Sequence, residues 1–208
     1  MEKADASEMR DDLVCGIAGI IPVFILGAKV LKKKSLMETA NELTNLLIGK
    51  AISTNQSMSW NYNNEFEFAH TGFAHGSSGM AYTFLIMYKH QPEEKYLSAA
   101  QASFNYDDSF YNRDINGWQR LNDTTTVQGK RGEWQIYPSM WCYGSAGIGI
   151  SKLFAWLITK EQVHKDFLLN AINRSATALQ LDTNFGLCHG HFSNAELLLT
   201  AGQHLKNK

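Results

Sequence analysis

Cysteine is scarce in this sequence, and neither sign of charge is in excess. Nineteen basic residues stand against 20 acidic ones, a formal net charge of −1. That balance gives no general electrostatic reason to expect nucleic acid or an acidic membrane as a partner. The one basic cluster, Lys32-Lys33-Lys34, follows an apolar stretch and suits a helix C-terminus better than a polyanion. The opening MEKADASEMRDD holds no apolar core of a secretory signal, so a cytoplasmic location is expected. The longest apolar stretch, Leu13 to Val30, approaches membrane-span length but is interrupted by three glycines and a proline; a buried helix is the better reading. Three cysteines with no visible export signal, and no CxxC pair among them, argue for reduced thiols or metal ligation over a disulfide framework.

What is present is ordinary in bulk: 44% hydrophobic and 12% aromatic residues over 208 positions, enough to bury a core. The organisation lies in the glycines. Gly16-Ile17-Ala18-Gly19-Ile20, Gly76-Ser77-Ser78-Gly79-Met80 and Gly144-Ser145-Ala146-Gly147-Ile148 share one form, two glycines framing a pair and followed by an apolar residue. Gly190-His191-Phe192-Ser193-Asn194 is a fourth, degenerate copy with Ser193 at the second glycine. Each copy opens a mostly apolar run of helical length, and such self-similarity marks a repeat architecture. A helix apolar nearly all round is expected to be buried on most of its surface. More polar helical stretches lie between. Ser35 to Glu38 fits a capping box opening a helix through Ala51. Pro92 precedes EEKYLSAAQASF, and residues 161–181 carry apolar residues at helical spacing. Buried helix then amphipathic helix, repeated, predicts an all-α fold, an α/α toroid in one domain over residues 1–208. The motif loops would gather at one rim, with segments 53–71 and 107–140 folding over it.

Trp141-Cys142-Tyr143-Gly144 and Leu187-Cys188-His189-Gly190 carry the chemistry. Two thiols and an imidazole make three ligands for one zinc ion with the fourth position open, the arrangement of catalytic rather than structural sites. Cys188 and His189 can share a metal only in non-helical backbone, which Gly190 and the preceding loop permit. The same cysteines also suit a role as small buried hydrophobes. His75 stands one residue before its motif glycine, in register with Tyr143 and His189, and is a candidate acid or base near pH 7. Asp12, four residues before Gly16, belongs to the same rim or caps a helix, as Asp11 also could. Cys15 is expected to pack. Asp107, Asp108, Asp114 and Glu133 supply acidity for a glycosidase-like pair, but a solvated loop explains them better.

Together these motifs resemble the lanthionine synthetase C-like family, the lantibiotic cyclases. The matching pieces are D-L-V-C-G-I-A-G (12–19), G-F-A-H-G-S-S-G (72–79), W-C-Y-G-S-A-G-I (141–148) and L-C-H-G (187–190), with FNYDDSFYNRDINGW resembling the family's insertion before WCYG. The resemblance implies zinc-dependent addition of peptide cysteine thiols to dehydroalanine or dehydrobutyrine, giving lanthionine or methyllanthionine thioethers. It implies Cys142, Cys188 and His189 as zinc ligands, one ion per chain. His75 would be an acid/base group, with Asp12 and Tyr143 lining the site. A dehydrated precursor peptide would be the substrate, with a dehydratase and an exporter in a membrane-associated complex as partners. The alternative is a truncated or degenerate member that binds zinc and a thiol ligand, precursor peptide or glutathione, without turnover.

Two departures stand out. The family often has an arginine four residues before the WCYG cysteine, where this sequence has Pro138; any role of that arginine is therefore unsupported, although Arg131 or Arg120 could lie nearby. The family toroid has seven helical hairpins, against three hairpins and one further inner helix here. A fragment, a truncated product or one part of a larger assembly is expected, with apolar flanks exposed where the ring is open.

Overall fold

The first glycine of each motif is the last residue before a helix. In a computed structural model describing residues 8–54, 56–61, 69–121, 137–179 and 184–205, four inner helices begin there. They are α1 (Ile17–Leu31), α3 (Ser77–His90), α5 (Ser145–Thr159) and α7 (His191–Leu205). Three outer helices, α2 (Lys34–Gly49), α4 (Glu94–Asp108) and α6 (Gln162–Ala178), pair with α1, α3 and α5 as hairpins. The inner helices pack in chain order, α1 on α3, α3 on α5 and α5 on α7. The result is the expected helical toroid, built as an incomplete ring.

Helix starts leave backbone N–H groups without partners, and α1, α3 and α5 take no side-chain cap. The preceding loop supplies the acceptors. Ile17 N donates to Arg10 O, Ser145 N to Pro138 O and His191 N to Asn184 O, each seven residues back. This wrap brings loop backbone hard against the helix. A Cβ on Gly19, Gly79 or Gly147 would press into the carbonyl oxygen six residues earlier, of Leu13, Phe73 or Trp141, well inside 3.0 Å. The two-glycine motif is therefore a steric requirement of a backbone-capped helix start. In the fourth copy Ser193 takes the second position, is fully buried, and turns its hydroxyl onto Gly190 O.

A second repeat-symmetric contact ties the inner helices together. Thr83 and Ser151, each seven residues after its first motif glycine, donate hydroxyls to Ala18 O (3.0 Å) and Ser78 O (2.8 Å) of the preceding inner helix. For α1 this has a local cause. Pro22 lies inside the helix and has no N–H for Ala18 O; the Thr83 hydroxyl supplies the missing donor.

Ile17, Ile21, Met80, Phe84, Leu85 and Met87 form one core between α1 and α4, and Trp118, Ile148, Leu168 and Leu197 a second around α5 to α7. Helices α3 and α5 are buried on nearly every side. Helix α1 departs from that expectation: Ile17, Ala18, Ile21 and Ile25 are buried, while Val23, Leu26 and Val30 form a stripe more than 60% exposed. At the other end of the arc Leu199 of α7 is 69% exposed. These are the two open flanks of the ring. No helix among the described residues is long and apolar enough to cross a membrane.

Three local expectations need correction. Helix α2 starts at Lys34 with no side-chain cap bond, so the Ser35–Glu38 capping box does not form. Cys15 is exposed rather than packed. Asp107 and Asp108 lie in the last turn of α4, not in a solvated loop, because both have inward partners; Asp108 pairs with the buried Lys152 at 2.5 Å. Two short hairpins, β1 (Ile52–Ser53) with β2 (Met58–Ser59) and β3 (Tyr111–Asn112) with β4 (Gly117–Trp118), interrupt the connections. The first runs along α4 rather than over the rim. Glu133 and Arg131 lie outside the described residues.

Candidate metal centre

The four motif loops are stitched into a belt by backbone hydrogen bonds. Leu13 N donates to Ala74 O at 3.1 Å. Phe73 N and Ala74 N both donate to Cys142 O at 3.0 Å, and Trp141 N and Cys142 N to Cys188 O at 3.1 and 3.4 Å. In each step the acceptor is the residue two before the first motif glycine. That register puts Cys142 and Cys188 at equivalent places in adjacent loops, with Tyr143, His75 and His189 each one residue later.

The consequence is a cluster. One donor atom from each of Cys142, Cys188 and His189 lies within 4.8 Å of the others. Cys142 is buried and the other two are exposed, so the cluster opens to one side. Residues 187–189 form a turn ahead of α7, the non-helical backbone that lets neighbouring residues converge. Around a tetrahedral zinc with Zn–S near 2.3 Å, ligand atoms sit about 3.8 Å apart. The Cys188 Sγ to His189 Nε2 separation is already 3.9 Å. Two soft sulfurs and an imidazole at this spacing fit zinc with little movement. Burial, then the hydrogen bond and charge of Cys188, push the Cys142 thiol up to about 12. Two sulfurs this close cannot both ionise without a cation between them.

His75 and Asp12 meet beside the cluster. His75 Nδ1 lies 3.0 Å from Asp12 Oδ2, and Asp12 Oδ1 accepts the N–H groups of Val14 and Cys15. Burial alone would raise the Asp12 pKa; the His75 hydrogen bond, the two backbone donors and the His75 charge outweigh it, and the carboxyl sits below its ordinary value. Asp11, the other capping candidate, instead pairs with Lys50 at 2.5 Å.

The Tyr143 ring stands between these groups, its centroid 6.0 Å from that of His75 and 6.2 Å from that of His70. Arg120 lies over its face, Cζ 4.2 Å from the centroid. His70 escaped the sequence reading. Its register held the signal: it is six residues before its motif glycine, the place of Arg10, Pro138 and Asn184. A cavity of about 40 Å³, room for a water molecule, is lined by Asp12, His70 and His75 together with Arg10, Trp60 and Met80.

Asp107 fixes the loop that carries His75. Its Oδ2 accepts Gly72 N (3.0 Å), Ser78 N (2.9 Å) and Ser78 Oγ (2.5 Å), both ends of the 72–78 turn. Complete burial holds this carboxyl up at about 7 despite those donors.

A model of the family described as lanthionine synthetase C-like protein matches residues 1–208. The chain is 26% identical over 222 residues to the lacticin 481/lactococcin biosynthesis protein LcnDR2 of Lactococcus lactis subsp. lactis, a match covering all of this chain and 20% of that one. Among solved structures, nisin cyclase aligns with 98% of this chain and 55% of its own length, at a TM-score of 0.65 and 21% identity. The Lin0763 protein of Listeria innocua aligns with 82% of this chain and 46% of its own, at a TM-score of 0.56 and 16% identity. The chain thus spans about half the length of the solved relatives and a fifth of the curated one, and the structural likenesses establish the toroid fold. The chain belongs to the lanthionine synthetase C-like family.

Proposed function

We propose that this chain carries the ring-forming centre of a lanthipeptide cyclase, which adds peptide cysteine thiols to dehydroalanine or dehydrobutyrine. The observation that carries the reading is the three-donor cluster of Cys142, Cys188 and His189, open on one side and flanked by the His75–Asp12 pair. A zinc ion held there would lower the pKa of an incoming cysteine thiol and keep its sulfur nucleophilic at neutral pH.

The chain's own groups account for the proton traffic. In the addition a sulfur–Cβ bond forms, the Cα=Cβ pair moves toward the carbonyl, and Cα then takes a proton. The thiol proton must leave and a proton must arrive at Cα. His75 is suited to both transfers, since its ring is held through Nδ1 by an ionised carboxylate, leaving Nε2 for the substrate. Tyr143 walls the site and helps hold the peptide.

The alternative is a member that binds zinc and a thiol ligand without turnover. A dehydrated cysteine-containing peptide separates the two. A cyclase consumes free thiol and yields thioether rings, and His75→Ala slows that by roughly 10²–10⁴-fold with zinc content unchanged. Zinc-loaded protein that binds the peptide but leaves every thiol free is a binder.

A further inference from the structure

Arg120 comes from the segment after β4, some twenty residues before the metal-site loop, and its place over Tyr143 is built rather than incidental. The Thr71 side chain is 2% exposed, and its hydroxyl clips both neighbours of Arg120. It donates to Gln119 O at 2.7 Å and accepts Leu121 N at 3.1 Å. Gln119 N is also bonded, to Phe110 O across the hairpin. The backbone on each side of Arg120 is thereby fixed to the residue between His70 and Gly72. The guanidinium lies over the ring of Tyr143, which follows the metal-site cysteine directly and shares the rim with His75 and Asp12. An arginine here keeps its charge at any working pH and presents several donors in a rigid plane. Stacking on an aromatic face restricts its position further.

We infer that Arg120 is a catalytic residue of the ring-forming reaction, donating to the carbonyl oxygen of the dehydro residue on which negative charge develops, and that Thr71 is its positioning residue. The inference rests on the cyclase reading. Thiolate attack at Cβ pushes the Cα=Cβ electron pair onto that carbonyl oxygen, and the charge persists until Cα is protonated. A fixed donor aimed at this oxygen lowers the barrier because it binds the transition state more strongly than the neutral acceptor. Arginine is a permanent cation, and Arg120 holds that charge against the wall of the site.

The test is cyclisation kinetics of a dehydrated cysteine-containing peptide with wild type, Arg120→Gln, Arg120→Lys and Thr71→Val, with zinc content and melting temperature measured on each. Removing one donor to a developing oxyanion costs about 10²–10³ in kcat. Arg120→Gln is expected to lose kcat on that scale with little change in KM, unchanged zinc and an unchanged melting temperature. Arg120→Lys should recover part of the loss, and millimolar guanidinium ion should partly rescue a further variant, Arg120→Ala. Thr71→Val should lower kcat less, at the same zinc content. Wild-type kcat in Arg120→Gln, a loss confined to KM, or loss of zinc in both the Gln and Lys variants would each overturn the role of Arg120. Wild-type protein that binds zinc and never closes a ring would instead overturn the cyclase reading, and this role with it.

Discussion

Asp12 holds His75 through a bond that links residues 63 positions apart, and its ionisation gives the pair a measurable signature. A carboxyl with its native pKa below the unfolded value stabilises the fold above the unfolded value, here 3.8, and loses that contribution as pH falls through the native value. Wild-type protein should therefore lose melting temperature more steeply below pH 4 than Asp12→Asn, a divergence that fades once the carboxyl is fully ionised, near pH 5. Parallel curves over the whole range would contradict the pairing. His75, Tyr143 and His189 were legible in the sequence because each stands one residue before a motif glycine. The Asp12–His75 contact was not, since it depends on how the first two loops face each other. His70 and Arg120 reach the rim through long connections whose path no periodicity encodes.

At the scale of elements, the glycines separate two opposed effects. Alanine in place of glycine inside a helix gains about 1 kcal/mol from propensity, so the sign of the change reports whether space exists. Gly147 has none, since a Cβ meets Trp141 O and lies 2.6 Å from the Phe73 Cβ; Gly202 has nothing within 4 Å. In urea unfolding, Gly147→Ala should lose about 1–3 kcal/mol as an overpacking change. Gly202→Ala should gain up to about 1 kcal/mol. Equal effects at the two positions would remove the backbone-capping explanation of the motif. Helix number, order and the inner–outer alternation were readable, because glycine spacing and apolar runs are local properties. The Ser35–Glu38 capping box misled because the chain enters α2 almost directly from the left-handed Lys32 that ends α1, placing the N-cap at Lys33, two residues before Ser35. Asp107 misled because its partners, Gly72 and Ser78, belong to the loop before α3 and the first turn of that helix.

For the whole molecule, the count of motifs indicated an incomplete ring, and among the described residues four inner helices form that arc. The stripe of Val23, Leu26 and Val30 looked like core in the sequence, because composition records a helix's apolarity but not whether a neighbour covers it. The arc matters to function chiefly by bringing two adjacent loops into one register, which is what converges the two sulfurs and the imidazole. Zinc content therefore tests the central claim most directly. Metal analysis of purified protein at neutral pH, beside Cys142→Ala and His189→Ala, should give one zinc per wild-type chain and a large loss in both variants with their helix content retained. Wild-type protein without stoichiometric zinc, or variants that keep a full equivalent, would contradict the metal centre and the chemistry built on it.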